Sequence, residues 1–209
     1  MTTVILFVIG LPIAYWLSGR SSIPKLIAEA LITMPLVLPP SVLGFYLLLA
    51  FSPKNALGSW LQNHLDLHLV FSFEGLVLAS LIYSFPFMVS PLKSAFSHLP
   101  TSIKEASYTM GKSKWSTLWY VLLPNIKSSL LTAAVLTFAH TLGEFGVVLM
   151  IGGNIPGVTK VASIAIYDSV ESMDYSSAND YSLILFGITF FIVLAVFILN
   201  RNASKSPLE

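Results

Sequence analysis

Four stretches of this chain, residues 1–19, 30–53, 75–92 and 181–200, contain no Asp, Glu, Lys or Arg, and a fifth, 119–143, contains only Lys127. A helix needs roughly 20 apolar residues to cross the hydrocarbon core of a bilayer. Inside that core no water satisfies peptide groups, so such stretches are confined to helices or closed barrels, and runs this long and apolar are helical. Composition agrees: 55% of residues are hydrophobic and 10% charged, against about 25% charged in a soluble domain. The chain is expected to be an all-α, polytopic membrane protein with about five crossings. Lys127, near the start of its span, is placed to snorkel to the interface. The first stretch lacks a basic leader and a small-residue cleavage site, and its Gly10, Pro12 and Trp16 suit a retained helix.

Charge placement sets the expected orientation. Eight of the 11 cations, Arg20, Lys25, Lys93, Lys104, Lys112, Lys114, Arg201 and Lys205, fall on one side if there are five crossings. The other side takes Lys54 and Lys160 with most carboxylates: Asp66, Glu74, Asp168, Glu171, Asp174 and Asp180. Cytoplasmic flanks retain Lys and Arg, so the N-terminus is expected outside and the C-terminus inside, with residues 93–114 cytoplasmic. Residues 1–200 read as one transmembrane domain and 201–209 as a short cytoplasmic tail, with no internal repeat, low-complexity tract or second soluble domain.

Several function classes find no support. The chain has no cysteine, which removes disulfides, thiolate nucleophiles and Cys-ligated metal. His64 and His68 are four apart, but they sit beside Asn63 and Asp66 in a polar loop and read as a solvated pair. Glu29, His140 and Glu144, the ionisable groups a proton-linked carrier would use, fall in different spans or at opposite faces. No nucleophile with a base and no carboxylate pair converges as an enzyme would need. There is no Gly-x-x-x-x-Gly-Lys-Ser/Thr, so nucleotide chemistry has no site here.

Between residues 143 and 180 the crossing pattern breaks down. Residues 145–159 lack charge but hold Gly146, Gly152, Gly153, Pro156 and Gly157, so they predict a half-helix that turns inside the protein, where irregular backbone is tolerated. Residues 161–167 continue as an apolar segment before an acidic loop, 168–174; a further tilted crossing pair is the alternative. Pro35, Pro39 and Pro40 remove N–H donors and predict a bend in the second span, as a static kink or a gating hinge. Glu144, between Gly143 and Phe145-Gly146, predicts a carboxylate bonded to its local turn. Glu29 predicts an interfacial charge or a partner of Lys25, four residues earlier.

One segment between two spans carries the most specific signal. Ser102 and Glu105 stand at capping-box spacing and predict a helix start; Gly111 fits the left-handed residue that ends a helix. After nine residues comes Val121-Leu122-Leu123-Pro124. The layout Glu105-Ala106-Ser107, then Gly111, then Leu123-Pro124 resembles the EAA loop of binding-protein-dependent ABC importer permeases, with Ser107 in place of the third alanine and Val121 in place of isoleucine. Thr141-Leu142-Gly143-Glu144-Phe145-Gly146, Gly153-Asn154-Ile155-Pro156-Gly157, Ala165-Ile166-Tyr167 and Leu36-Val37-Leu38-Pro39-Pro40-Ser41-Val42 resemble the molybdate branch of that family, and sulfate permeases share the Gly-Glu-Phe-Gly and Gly-Asn-Ile-Pro runs.

The resemblance implies a type I ABC importer transmembrane fold in the cytoplasmic (inner) membrane, with the chain forming a homodimer around one pore. It implies further family sequence ahead of residue 1, which would leave the first helix short. Ser102, Glu105, Ala106, Gly111, Leu123 and Pro124 would form the coupling segment that docks on a separate ABC ATPase. That partner would carry ATP and Mg, this chain binding no cofactor and no metal, and an extracytoplasmic molybdate-binding protein would deliver the anion; no nucleic acid partner is expected. A path for a tetrahedral oxyanion needs hydroxyls, amides and exposed backbone rather than a ring of lysines. Pro39, Pro40, Ser41, Thr141, Gly143, Glu144, Asn154 and Gly157 are the candidates for that path or its gate.

Overall fold

The computed structural model describes residues 1–204, which are helical throughout apart from short connections. The C-terminal tail expected at 201–209 lies mostly outside the described residues. Helix α5 (Phe73–His98) is the axis of the fold: helices α1 (Thr2–Leu17), α2 (Ile23–Val37) and α9 (Lys127–Gly143) pack along it, as do two short helices, α3 (Pro40–Phe51) and α10 (Gly146–Gly152). Ser72 starts α5 by accepting from the Gly75 backbone N–H at 3.1 Å, a side-chain N-cap. Ala79, Met88, Val89, Leu92 and Phe96 of α5 are almost fully buried. Gly10 of α1 permits the closest approach, since a Cβ there would sit 2.9 Å from Met88 Cγ.

Two apolar cores flank α5. One joins Leu6, Ala14 and Leu17 of α1 to Met88, Leu92 and Phe96 and to Leu118, Leu122 and Ala133 further along the chain. The other joins Leu47 of α3, Leu76 and Ala79 of α5, Val147 and Ile151 of α10 and Ile164 of α11 (Ala162–Glu171). The last helix, α12 (Tyr175–Ser204), lies outside both against α9 and α11. Leu183, Phe186, Phe191 and Phe197 on it are exposed. Its Asn200 reaches inward to donate to Thr132 Oγ1 of α9 at 2.8 Å.

Helices α5 and α12 are long and apolar enough to cross a membrane singly; two further spans are bent pairs, and α1 is a shorter apolar helix. These account for the five apolar stretches, but two of them are not the straight crossings their composition suggests. Residues 30–53 divide at Leu38-Pro39 into α2 and α3, which meet at 115°. Leu38 makes the last α2 bond, to Met34 O; Pro39 and Pro40 have no N–H to continue it, and Pro40 instead starts α3. Residues 119–143 divide at Ile126, where the helical run Lys114–Asn125 meets α9 at 77°. That run comprises α7 (Lys114–Thr117), a π-helical turn over Leu118–Leu122 and α8 (Leu123–Asn125). Pro124 lacks the donor an α-helix would take from it, and the Leu123 N–H bonds five residues back to Leu118 O, the register of a π-turn.

The expected half-helix is present as α10, seven residues long and ended by Gly153 in the left-handed region. The segment expected at 161–167 continues to Glu171, so Asp168 and Glu171 sit on a helix rather than in an acidic loop. α10 has seven residues and α11 ten, and neither by itself has the roughly 20-residue length of a crossing.

Candidate functional site

The segment expected to couple to an ATPase is a nine-residue helix, α6 (Thr101–Thr109), with its own turn and return helix. It starts two residues earlier than the sequence suggests: Pro100, not Ser102, is the N-cap, and neither Ser102 nor Glu105 makes a capping hydrogen bond. Proline fixes the entry φ at −56°, so the helix begins without a side-chain cap and the capping box does not form. Ser102, Glu105, Ala106 and Thr109 are all exposed, and their spacing puts them on one face.

The end of α6 is as expected. Gly111 has φ +76°, its N–H bonds to Tyr108 O at 2.9 Å and the Lys112 N–H bonds to Ser107 O at 3.1 Å. These paired bonds are a Schellman closure, which requires the left-handed conformation glycine adopts without strain. Ser113 then caps α7 by accepting from the Ser116 N–H at 3.2 Å. Leu123 is buried in the first apolar core while Pro124 is exposed, so Leu123 anchors the segment and Pro124 shapes it.

Four of the candidate path residues converge. Pro40 and Ser41 at the start of α3 and Gly143 and Glu144 at the end of α9 line one cavity of ≈ 550 Å³, with Tyr83, His140 and Gly146. Pro39, the N-cap of α3, stands at the bend beside it. The α3 and α10 N-termini abut here, since a Cβ on Gly146 would stand 2.9 Å from Pro40 Cβ. Glu144 is 5% exposed, and both carboxylate oxygens are without a hydrogen-bond partner among the described residues. The expected bond to a local turn is not made; the turn is held instead by Ser163 Oγ, which donates to the Glu144 carbonyl at 2.5 Å.

The other candidates lie elsewhere. Thr141 Oγ1 donates to Thr137 O at 2.8 Å and meets Ser84 Oγ of α5 at 3.3 Å, between packed helices. Ser84 Oγ is also 3.0 Å from His140 Nδ1, and His140 stacks on Phe87 with ring centroids 3.8 Å apart. Asn154, at φ +54°, donates from Nδ2 to both Asp168 oxygens at 2.9 and 3.1 Å. Asp168 also takes Lys160 Nζ at 2.5 Å, and Lys160, then Asn154, hold its carboxyl below the ordinary 3.8. Gly157, at φ +75°, is in the same turn, away from the cavity. His64 is bonded to Trp60 O at 3.0 Å and stacked on that ring, and among the described residues no cluster of His, Asp and Glu has metal-site geometry.

Residues 7–204 match the family described as binding-protein-dependent transport system inner membrane component. The chain belongs to that family. It is similar to the molybdenum transport system permease protein ModB of Azotobacter vinelandii, 47% identical over 180 residues, covering 86% of this chain and 79% of the relative. It is 31% identical over 193 residues, 92% of this chain and 85% of the relative, to the putative molybdenum transport system permease protein YvgM of Bacillus subtilis. A probable sulfate transport system permease protein of Marchantia polymorpha is 32% identical over 205 residues, 96% of this chain and 68% of the relative. The chain is thus a multi-pass inner-membrane permease of a binding-protein-dependent importer, a transport subunit rather than an enzyme.

Two contacts in this permease were not legible as functional. Ser107, which occupies the position of the family's third alanine, is 5% exposed and hydrogen-bonds Thr117 Oγ1, itself 0% exposed, at 2.8 Å. That bond ties α6 to α7 across the glycine turn; two hydroxyls ten apart around a Gly were the available signal. Glu29 is paired with Lys93 of α5 and not with Lys25. Lys25 Nζ instead lies 5.5 Å over the Trp16 ring, a cation–π contact that removes it from Glu29.

Proposed function

We propose that this permease translocates molybdate by alternating access. Two copies frame one pore, and each docks its exposed α6 face, Ser102, Glu105 and Ala106, in a cleft of one ABC ATPase subunit. ATP and Mg bind that partner, whose closure draws the coupling helices together and turns the pore outward; hydrolysis reverses it. An extracytoplasmic molybdate-binding protein delivers the anion to the side opposite α6, with the N-terminus outside and the C-terminus inside. The cavity of Pro40, Ser41, Gly143 and Glu144, hinged at Pro39, is the gate region; Thr141 packs beside it between α9 and α5, and Asn154 and Gly157 stand apart from it in the turn beyond α10. The single observation that carries the choice of anion is the 47% identity to a molybdenum permease over 86% of the chain, against 32% to a sulfate permease.

A second reading, a sulfate or tungstate permease of the same build, is supported by that sulfate relative. The test is reconstitution of the chain with its ATPase and binding protein in vesicles, followed by ATP-dependent uptake of molybdate, tungstate and sulfate in competition. Molybdate uptake that requires all three components supports the proposal. Uptake by this chain alone would overturn it, and a preference for sulfate would replace the anion.

A further inference from the structure

Lys93 is the one lysine of α5 and lies near the end that leads through Leu99 and Pro100 into the coupling helix. Its ammonium pairs with the Glu29 carboxylate of α2, and the two side chains remain 28% and 39% exposed. The pair borders a cavity of ≈ 340 Å³ whose other polar groups are Thr33 of α2 and Ser90, Ser94, Ser97 and His98 of α5. Ser90, Ser94 and Ser97 follow each other at i, i+4 and i+7, one face of the helix. A second cavity, of ≈ 490 Å³, shares Ser94 and His98 and extends the polar surface to Asn125, Ser129 and Thr132. Lys93 stands at the end of α5 that the charge pattern assigns to the cytoplasmic flank, and the hydroxyl row and the two cavities carry an open polar surface from there along the helix, the kind of surface that faces a water-filled cavity in a membrane protein.

A tetrahedral dianion at this place needs one cation and several hydroxyl donors, and both are present. A lone lysine would also delay release, because conduction requires binding weak enough to leave. Glu29 supplies the weakening: the anion gains Lys93 only by displacing a carboxylate already bound to it, and the carboxylate takes the ammonium back when the anion departs. Net affinity is then the difference between two ion pairs, and no bare charge is left in either state.

We propose that Lys93, with Ser90, Ser94 and Ser97, forms an oxyanion subsite at the coupling end of the pathway, and that Glu29 is its displaceable carboxylate. This rests on the oxyanion-permease reading above. The experiment uses the purified permease–ATPase complex without nucleotide or binding protein, and measures equilibrium retention of radiolabelled molybdate. Uptake is measured in parallel with the full system in vesicles. Glu29→Gln should raise retention roughly two- to fivefold, the worth of a part-exposed ion pair, and slow uptake. Lys93→Gln should lower retention roughly tenfold or more, the worth of a charged hydrogen bond, and Lys93→Arg should restore it. The double variant should behave as Lys93→Gln. ATPase co-purification certifies that each variant is assembled. Retention unchanged in Lys93→Gln, or lowered by Glu29→Gln, overturns the subsite and makes the pair a structural brace, while wild-type uptake of molybdate stands. A wild-type system that moves no oxyanion overturns the function and the subsite together.

Discussion

The coupling segment and the α3–α10 layer are both built from short helices joined at glycine and proline, yet they are held by opposite means. The coupling segment is held by hydrogen bonds close in sequence: the paired bonds around Gly111, the Ser113 cap and the Ser107–Thr117 bridge. The α3–α10 layer is held by distant backbone contact. A Cβ on Gly44 would meet Met150 Cβ at 2.7 Å and Val147 Cα at 3.1 Å, about a hundred residues away in sequence, so the two half-helices touch where small residues let them. A unit closed by its own bonds can move as a body, whereas a layer closed by packing is stable only with its neighbours in place. That fits the force transmission proposed for the one and the gate proposed for the other.

The sharpest test of this contrast is Gly44→Leu. Backbone stands where the side chain must go, and overpacking of this kind costs about 1–3 kcal/mol or more, so the purified complex should show a lower thermal midpoint and lose uptake in parallel. Next in size is Gly111→Pro. Proline cannot adopt φ +76° and removes the N–H that bonds Tyr108 O, a local cost of about 3 kcal/mol. Uptake should fall while the thermal midpoint of the membrane part stays near wild type, with ATP hydrolysis no longer stimulated by loaded binding protein. If Gly111→Pro melts the complex as far as Gly44→Leu does, the coupling segment is not an independent unit.

The same contrast explains what the sequence revealed. Gly111 was legible because its demand is local: a left-handed residue after an amphipathic turn. The five apolar stretches and the half-helix at Gly146–Gly152 were legible because lipid imposes length and hydropathy. The 115° turn at Pro39 was legible only as a bend, since proline fixes that a helix stops and not where the next one points. The Ser102 cap was misread because Pro100 sets the helix start without it. The partner of Glu29 was misread because a neighbour at four residues competes with one 64 residues away, and only the packing of α2 on α5 decides.

A smaller effect separates the bond from the space it fills. Ser107→Ala leaves the Thr117 hydroxyl buried and unpaired, which costs about 1–3 kcal/mol, and should lower uptake a few-fold. Replacing both partners, Ser107→Ala with Thr117→Val, removes the orphan and should recover most of that loss in the thermal midpoint. A double variant as impaired as the single would mean that the bridge itself, and not hydroxyl satisfaction, sets the angle between α6 and α7.

The smallest effect belongs to the turn beyond α10. Asp168 accepts from Lys160 and Asn154, and those donors hold its carboxyl below the ordinary 3.8. A carboxyl depressed in the folded state stabilises it above the unfolded value, so the contribution is complete at neutral pH and is lost as pH falls through the folded value, below 3.8. The site is at the surface and only part-buried, which keeps its worth small. Asp168→Asn should therefore release Asn154 and Lys160 at pH 7, seen as faster backbone hydrogen exchange over the turn that follows Gly153, with little change in the thermal midpoint. Lowering the pH from 7 to 5 should leave the wild-type protection factor there, which is exchange corrected for its base-catalysed intrinsic rate, unaltered. Protection that already falls by pH 5 would mean that the pairing with Lys160 and Asn154 does not hold the carboxyl down, and that the Thr159 hydroxyl, bonded to Gly152 O and the Ile155 N–H, alone closes the turn.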